Sequence, residues 1–329
     1  MLDLSSQQAV SYFADRLRVH PHSVSVTALG GGVSNDVVLV EAPSHRAVAK
    51  QSLEKLRVEQ DWFCPRERIF HEARGLEILG ELLPEGSVPR VLWEDQDNFL
   101  FVMEAAPPGS LNFKTELLGG RSDVRTAKRL GLYLGRWVAR TAGRDEFDAE
   151  FGGLDMFDRL RLDPYYRATA LRHSDLAGRI EGLIKECQKR RVALTHGDFS
   201  PKNVLCFNQT VWLLDMEVMH YGDPSFDAAF MSNHFLLKAF HRPANMRDYR
   251  TVAEGFWEAL RAELPKEFAW LEAAAMRHLG VLLLARIDGK SPVEYIREED
   301  VKQHMRRSAR ALIFHPAETV EEAWERVFR

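Results

Sequence analysis

The chain has 329 residues, 45% of them hydrophobic and 28% charged, and its 44 basic and 48 acidic residues give a formal net charge of −4 at pH 7. This length predicts more than one domain or lobe, and the near-neutral balance excludes the basic bias of nucleic-acid-binding and membrane-surface proteins. The three cysteines (Cys64, Cys187 and Cys206) lack paired metal-ligand spacing, which predicts reduced thiols rather than a disulfide framework.

No targeting or membrane-spanning segment is predicted. The first residues, MLDLSSQQAVSYFADRL, include acids and have no cationic lead into an apolar run. The most apolar later stretch, LGVLLLARI from Leu279, is too short to span a bilayer. We therefore expect a cytoplasmic protein with neither a membrane nor a nucleic-acid partner, and the sequence leaves its oligomeric state open.

The amino-terminal part predicts a small α+β lobe. A short helix with Ser5 or Ser6 as its cap precedes SVSVTAL, DVVLVEA and RAVAKQSL, which alternate with period two and predict an antiparallel meander. An amphipathic helix between Pro65 and Leu83 and two more strands, VPRVLWED and NFLFVMEA, complete the lobe. The proline-rich linker AAPPGS follows, so we place the first lobe at residues 1–104.

The second lobe, residues 105–329, is predicted to be mainly helical. Long helical patterns cover 123–142 and 175–191, and further helices run to the end of the sequence. Helix breaks are expected at Pro243, Pro265, Gly289 to Pro292 and Pro316.

Two upstream features suggest a phosphate-binding site. In LGGGVSN, three glycines lie between strands, where backbone N–H groups can approach a phosphate, although a tight turn explains them as well. Lys50 ends the strand AVAK, and Glu72 lies on the following helix. A carboxylate can orient a flexible lysine toward nucleotide phosphates, although each residue alone is compatible with an exposed surface position.

The stretch THGDFSPKNVLCFNQTVWLLDMEV concentrates polar residues beside apolar strands. Asp198 and Asn203 lie in one turn, and Asp215 follows the strand VWLLD. Carboxylate and amide oxygens are the ligands that Mg²⁺ prefers, and substrate phosphates would complete its shell. The alternative is that Asp198 and Asn203 only hydrogen-bond within their own turn.

Together these segments resemble the phosphotransferase family of aminoglycoside, choline and methylthioribose kinases, which share the protein-kinase-like fold. THGDFSPKNVL resembles their catalytic loop and LLDMEVMHYGDPSFDAA their metal-binding segment, with GGGVSN, AVAK, HEARGLEIL and LFVMEA in the expected upstream places. The resemblance covers roughly residues 25–235. It implies an α+β, two-lobed protein-kinase-like fold with a small antiparallel-sheet N-lobe and a mainly helical C-lobe.

The same resemblance implies roles for individual residues. Asp198 would be the catalytic aspartate, and His196 and Asp227 would brace its loop. Asn203 and Asp215 would bind Mg²⁺, with Glu217 binding a second ion directly or through water. The residues that it assigns to ATP binding are Gly30, Gly31, Gly32, Ser34, Asn35, Lys50, Glu72, Met103, Glu104 and Ala106, the last three within a hinge whose backbone meets adenine.

The implied activity is that of an ATP- and Mg²⁺-dependent kinase that transfers the γ-phosphate to a hydroxyl of a sugar, an aminoglycoside or an amino-alcohol. Asp223 and Pro224 follow Asp215 so closely that no peptide-docking segment fits between them, which favours a small-molecule substrate. The alternative from another class is a nucleotide-binding pseudokinase scaffold. A metal-dependent hydrolase using His196 and Asp198 would lack further clustered histidines and would not explain Lys50.

The acceptor is not determined by the sequence. Methylthioribose kinases carry adjacent arginines where this chain has Arg277 and His278. A choline site needs an aromatic cage, for which Tyr249, Trp257 and Trp270 are available, although aromatics at helical spacing are more often core. The stretch ARIDGKSPVEY could place basic and acidic residues near a substrate, or could simply end a helix. Its three charged candidates are Arg286, Asp288 and Lys290.

Overall fold

The computed structural model describes residues 2–30, 34–55, 57 and 64–329. The chain divides into two compact units: Met1–Ser110 with Trp212–Glu217, and Leu111–Val211 with Val218–Arg329. The predicted glycine-loop positions Gly31 and Gly32 lie outside the described residues, and the lobe boundary after Glu104 stays a prediction.

The first unit contains a five-stranded sheet with the order β1-β2-β3-β5-β4, in which all neighbouring strands are antiparallel. This confirms the antiparallel sheet predicted for the amino-terminal part. The elements of this unit are α1 (Gln7–Leu17), β1 (Ser25–Ala28), β2 (Asn35–Ala42), β3 (His45–Ser52), α2 (Arg68–Leu82), β4 (Val91–Asp95) and β5 (Leu100–Glu104).

The sheet and α1 share an apolar core that fixes the register of β3. Ser6 caps α1 by accepting a hydrogen bond from the Gln8 N–H, and Phe13 of that helix is buried in the core with residues of β2, β3 and β5. In this register Lys50 lies opposite Val37 on one side and Phe101 on the other. Lys50 is therefore held on a central strand of the sheet, where its backbone is constrained on both sides.

The second unit is mainly helical, as predicted. Its elements are β6 (Leu111–Asn112), α3 (Phe113–Leu118), α4 (Val124–Thr141), α5 (Asp145–Phe151), α6 (Asp155–Phe157), a π-helix (Asp158–Arg167), α7 (Ala168–Arg172), α8 (Ala177–Lys189), β7 (Ala193–Thr195), β8 (Val204–Phe207), β9 (Thr210–Leu213), which continues into the first unit, β10 (His220–Gly222), α9 (Pro224–His241), α10 (Met246–Glu263), α11 (Leu271–Asp288), α12 (Glu299–Phe314) and α13 (Val320–Val327).

Close helix packing forms the core of this unit. The helices α4 and α10 approach so closely at Gly131 that a Cβ there would lie 2.1 Å from the Phe256 carbonyl oxygen. Helix α9 begins with Asp223 as its N-cap and Pro224 at the first helical position, a combination typical of a firmly fixed helix start. Because α9 is buried along almost its whole length, it forms a rigid support within this unit.

The apolar segment that contains α11 is longer than the stretch LGVLLLARI considered in the sequence. Lys266–Asp288 is long and apolar enough by length and composition to cross a membrane, so the statement that this region is too short is wrong. However, 72% of its apolar window is buried inside the protein. Packing as a core helix accounts for its composition.

Candidate active site

The loop after β7 is held in place by backbone hydrogen bonds to one buried carboxylate. Asp227 on α9 accepts hydrogen bonds from the His196 N–H at 2.6 Å and the Gly197 N–H at 2.9 Å. Burial raises the pKa of Asp227 to about 7, although these two N–H donors oppose the shift. Gly197 has φ +75°, and a Cβ there would lie 2.6 Å from the Val218 carbonyl oxygen, so the loop requires glycine at this position.

Asp198 lies in this loop and is only 3% exposed. Its Oδ2 atom lies 2.9 Å from Asn203 Nδ2, 2.9 Å from an Arg161 guanidinium nitrogen and 2.7 Å from Lys202 Nζ. Its backbone N–H donates to His196 Nδ1 at 3.1 Å. The carboxylate is thus fixed by three side chains, and the bracing roles expected of His196 and Asp227 match their contacts.

Arg161 and Lys202 are parts of this site that the sequence analysis missed. Lys202 lies inside the stretch THGDFSPKNVL, so its position could have been noticed. Arg161 lies on the π-helix, where it also donates from Nε to the Gly197 carbonyl oxygen at 2.6 Å. That helix contains Pro164 and lacks the 3.6-residue period, so no sequence pattern indicates that Arg161 faces the loop.

Asn203 is bound within its own loop. Its Nδ2 donates to the Asp198 backbone carbonyl oxygen at 3.0 Å as well as to the carboxylate. The hydrogen bonds expected if Asp198 and Asn203 only stabilise their own turn are therefore present. They are compatible with metal binding, because the amide nitrogen makes these bonds and the amide oxygen is the atom that a metal would use.

In the first unit, Lys50 joins two carboxylates. Its Nζ lies 2.5 Å from Glu72 Oε1 and 3.0 Å from Asp215 Oδ1, as the predicted lysine–glutamate pair requires. Burial disfavours the ammonium, but Asp215, Glu72 and Glu217 outweigh it and raise the pKa of Lys50 above its ordinary value. Burial likewise raises the pKa of Glu72, against the opposing effect of Lys50.

A second acid lies in the same cluster. Glu217 accepts hydrogen bonds from Ser34 Oγ at 2.8 Å and Asn35 Nδ2 at 3.3 Å, so these two predicted ATP-binding residues contact a carboxylate. Oxygens of Glu72, Asp215 and Glu217 lie within 4.8 Å of one another. These hard oxygen donors fit the chemistry of Mg²⁺, and Asp215 and Glu217 are the residues that would hold it in this unit.

The predicted hinge follows β5. Met103 and Glu104 are its last two residues, and the Glu104 N–H donates to the Arg90 carbonyl oxygen at 2.9 Å. The Ala106 carbonyl oxygen accepts a hydrogen bond from Arg46. Gly30 has open space where a Cβ would project. Binding of adenine by this segment stays a prediction.

The aromatic residues considered for a choline cage are engaged elsewhere. Tyr249 and Trp257 are fully buried in the core, with the Tyr249 hydroxyl donating to a backbone carbonyl and Trp257 Nε1 donating to a serine hydroxyl. The guanidinium carbon of Arg190 lies over the Trp270 ring, 4.4 Å from the ring centroid. These three residues do not form a cage.

The two positions compared with methylthioribose kinases also have structural partners. Arg277 forms an ion pair with Glu186 on the surface, and the buried His278 lies 2.7 Å from the Tyr166 hydroxyl through Nδ1. Arg277 therefore contributes to packing between α11 and α8, and the structure gives these two residues no substrate-binding arrangement.

Comparison with known proteins places the site in context. Residues 25–264 match the model of the family described as the phosphotransferase enzyme family. No match was found among curated proteins. The family match includes Lys50, Glu72, Asp198, Asn203 and Asp215.

Solved kinase structures share the fold of this chain at low sequence identity. A choline/ethanolamine kinase family protein from Mesorhizobium loti is 15% identical, with a TM-score of 0.54 over 99% of this chain and 99% of that chain. The amicoumacin kinase hAmiN in complex with AMP-PNP, Ca²⁺ and Ami is 14% identical, with a TM-score of 0.60 over 95% and 96%. The choline kinase LicA from Streptococcus pneumoniae is 15% identical, with a TM-score of 0.50 over 94% and 98%. The predicted protein-kinase-like fold is confirmed.

Proposed function

The chain belongs to the phosphotransferase enzyme family, and we propose that it is an ATP- and Mg²⁺-dependent kinase that transfers the γ-phosphate to a hydroxyl group of a small molecule in the cytoplasm. The neighbours of similar fold include kinases named for choline and amicoumacin. A sugar, an aminoglycoside and an amino-alcohol are the acceptor classes that the sequence suggests for this chain.

The observation that carries the proposal is the Lys50 ammonium held between Glu72 and Asp215. Burying a lysine with two carboxylates costs free energy because all three charges lose water, so the arrangement suggests that the charges have a function. Contact with nucleotide phosphates is such a function, because the lysine can exchange a carboxylate for phosphate oxygens while Glu72 keeps it oriented. A protein that only served as a scaffold would have no chemical need for this arrangement together with Asp198.

In the proposed reaction, Asp198 accepts a hydrogen bond from the acceptor hydroxyl, orients its oxygen for in-line attack and takes its proton as the bond to the γ-phosphorus forms. The bond between that phosphorus and the bridging oxygen of ATP breaks, and ADP leaves with this oxygen. Arg161 and Lys202 keep the Asp198 carboxylate in position. Lys50 binds phosphate oxygens. Asp215 and Glu217 would hold Mg²⁺, which would neutralise charge on the transferred phosphate, and Asn203 stays a predicted ligand.

The competing proposal is a pseudokinase that binds nucleotide without transferring phosphate. Purified protein should be incubated with Mg·ATP and a panel of sugars, sugar acids, sugar phosphates, aminoglycosides, choline and methylthioribose, and ADP and phosphorylated products should be measured. Kinase activity predicts ADP formation that depends on one class of acceptor and disappears in Lys50→Ala. Tight nucleotide binding with acceptor-independent or absent turnover across the whole panel would support the scaffold instead.

A further inference from the structure

A fully buried lysine lies on α9 in the second unit. Lys238 is 0% exposed, and its Nζ lies 3.3 Å from His234 Nδ1 and 3.1 Å from the Tyr295 hydroxyl. Both partners are uncharged groups, and within the described ranges no carboxylate is in salt-bridge distance of Lys238. A buried ammonium without a counter-charge is strongly disfavoured. An anion supplied from outside the chain would remove this cost.

Arg286 on α11 belongs to the same region. One of its guanidinium nitrogens donates to the Tyr165 hydroxyl at 3.2 Å and to Ser291 Oγ at 3.0 Å, and its carbon lies 5.6 Å from the Tyr165 ring centroid. Its buried Nε has no hydrogen-bond partner among the described residues. Arg286 therefore keeps donor capacity suited to a planar carboxylate or a phosphate.

Aromatic contacts link these basic residues to the loop of Asp198. Arg161, which contacts the Asp198 carboxylate, lies 5.8 Å from the Phe230 ring centroid. The Phe230 ring in turn contacts the His234 ring at 5.3 Å and the Tyr165 ring at 5.5 Å between centroids. Since His234 contacts Lys238 and Tyr165 contacts Arg286, one connected set of side chains joins both cations to the catalytic loop.

The region is electropositive. Burial lowers the pKa of His234 well below its ordinary value, and the charges of Lys238, Arg286, Lys202 and Lys114 lower it further. Burial and the charges of Arg286 and Lys114 also lower the pKa of Lys238, and the weaker opposing charge of Glu294 does not cancel this effect.

Nearby acids already have basic partners. Glu294 forms an ion pair with Lys114 at 3.0 Å, and Asp163 forms one with Lys290 at 2.6 Å. Glu294 also attracts Lys238 and Arg286, but within the described ranges neither carboxylate forms an ion pair with either cation. A positively charged acceptor would be repelled here, whereas an anionic one would be attracted.

Helix α9 also carries an unsatisfied amide. Asn233, which immediately precedes His234, is fully buried, and neither its Oδ1 nor its Nδ2 has a hydrogen-bond partner in the part of the chain that the structure describes. Buried amides without partners are uncommon because desolvation is then uncompensated. A ligand with hydroxyl and acidic oxygens offers both a donor and an acceptor.

We propose that the acceptor of this kinase carries an anionic oxygen group, a carboxylate or a phosphate, which Lys238 and Arg286 bind. This inference rests on the proposed function, and it concerns only which small molecule is phosphorylated. It distinguishes the chain from a choline or aminoglycoside kinase by the charge of the substrate. The alternative is a structural lysine that stays neutral through its bonds to His234 and Tyr295.

The test uses four acceptors with one carbon skeleton and different charges: glucose, glucosamine, gluconate and the terminal phosphate ester of glucose. The kcat/KM of each is measured by ADP release and checked by product mass. Because hydrogen bonds to charged groups are strong, the preferred anionic compound should exceed glucose by about 10- to 100-fold, and glucosamine should fall below glucose. Gluconate and the phosphate ester distinguish the carboxylate from the phosphate.

The variant Lys238→Met keeps the length of the side chain and removes its charge. It should bring the kcat/KM ratio of the anionic compound to glucose toward one, and Arg286→Gln should do the same in part. Lys185→Met, which removes an exposed lysine paired with Glu181 on α8, should leave the ratio unchanged. Because each ratio is measured on one preparation, partial unfolding of a variant cancels from it.

Equal kcat/KM for glucose and both anionic compounds, a preference for glucosamine, or an unchanged ratio in Lys238→Met would overturn the inference. If none of these four compounds is phosphorylated, the wider acceptor panel decides the proposed function, and calorimetric titration with gluconate and with inorganic phosphate decides the anion site. Binding that is lost in Lys238→Met would support it. Absence of binding to the wild-type protein would refute it.

Discussion

The Asp198 carboxylate is held by two cations and an amide, and its substitution tests its role. Asp198→Asn should lower kcat by about 10² to 10⁴-fold, the usual contribution of a positioned general base. Nucleotide affinity should change little, because Lys50 and Asp215 are unaltered. Since the buried Arg161 loses its charged partner, we expect some loss of thermal stability as well. Specific activity of the folded fraction and ATP affinity are the quantities to measure.

Two further aspartate variants serve as comparisons for Asp198→Asn. Asp158→Asn removes a carboxylate paired with Arg167 on the same π-helix as Arg161 and should leave kcat unchanged. Asp215→Asn should lose affinity for Mg·ATP along with rate, because its contribution begins in the ground state. Asp215 has φ +73°, a conformation that asparagine tolerates, so this variant should fold. An Asp198→Asn protein that is destabilised but fully active would show that Asp198 only braces its turn.

The contact between Lys50 and Glu72 predicts that substitutions at the two positions have coupled effects on kcat/KM. In a double-mutant cycle of Lys50→Ala and Glu72→Gln, the effects on kcat/KM should be non-additive by about 1 kcal/mol or more, because one residue orients the other. Glu77 lies on the same helix, exposed and paired with Arg74, and Glu77→Gln should be additive with Lys50→Ala. Additive losses for Glu72 would mean that the short contact has no part in binding phosphate.

The start of α9 anchors the loop that contains Asp198, and this anchoring should depend on pH. The pKa of Asp227 is about 7 in the folded protein against 3.8 for an ordinary aspartate. The folded state thus binds this proton more tightly, so the stabilisation is complete at low pH and is lost as the pH rises through about 7. The Tm difference between wild type and Asp227→Asn should therefore shrink from about pH 5 to about pH 8.

The control for this experiment is Asp158→Asn, which removes a half-buried aspartate paired with Arg167 on another helix and away from the loop of Asp198. A wild-type advantage over Asp227→Asn that stays constant or grows with pH would contradict the assigned burial effect.

The secondary structure shows which elements a sequence pattern can predict. The strands β2 and β3 and the helices α2, α4 and α8 to α11 have enough residues to show a period. The helices α9, α10 and α11 end shortly before Pro243, Pro265 and Gly289, where breaks were expected. The π-helix and the short strands β6, β7 and β10 lack a readable period. They depend instead on tertiary packing, and one of them carries Arg161.

In the whole molecule, too, some features are predictable from sequence motifs and others depend on how distant residues pack together. The motifs that contain Lys50, Glu72, Asp198, Asn203 and Asp215 carried the resemblance to the family and its fold, because their combined order along the chain is specific. The basic cluster around Lys238 was not predictable, since its members are dispersed over the sequence and the overall charge is −4. Of the residues in ARIDGKSPVEY, Arg286 joins this cluster, whereas Asp288 pairs with Arg306 and Lys290 with Asp163.

Transfer of labelled phosphate tests the central claim most directly. With ATP labelled at its γ-phosphate and excess protein, the best acceptor of the panel should take up one label for each ADP formed. Uptake should disappear when EDTA removes the metal, because Mg²⁺ neutralises the transferred phosphate. Equal uptake with EDTA, or label released only as inorganic phosphate at the same rate with and without acceptor, would contradict the assignment of this chain as a magnesium-dependent small-molecule kinase.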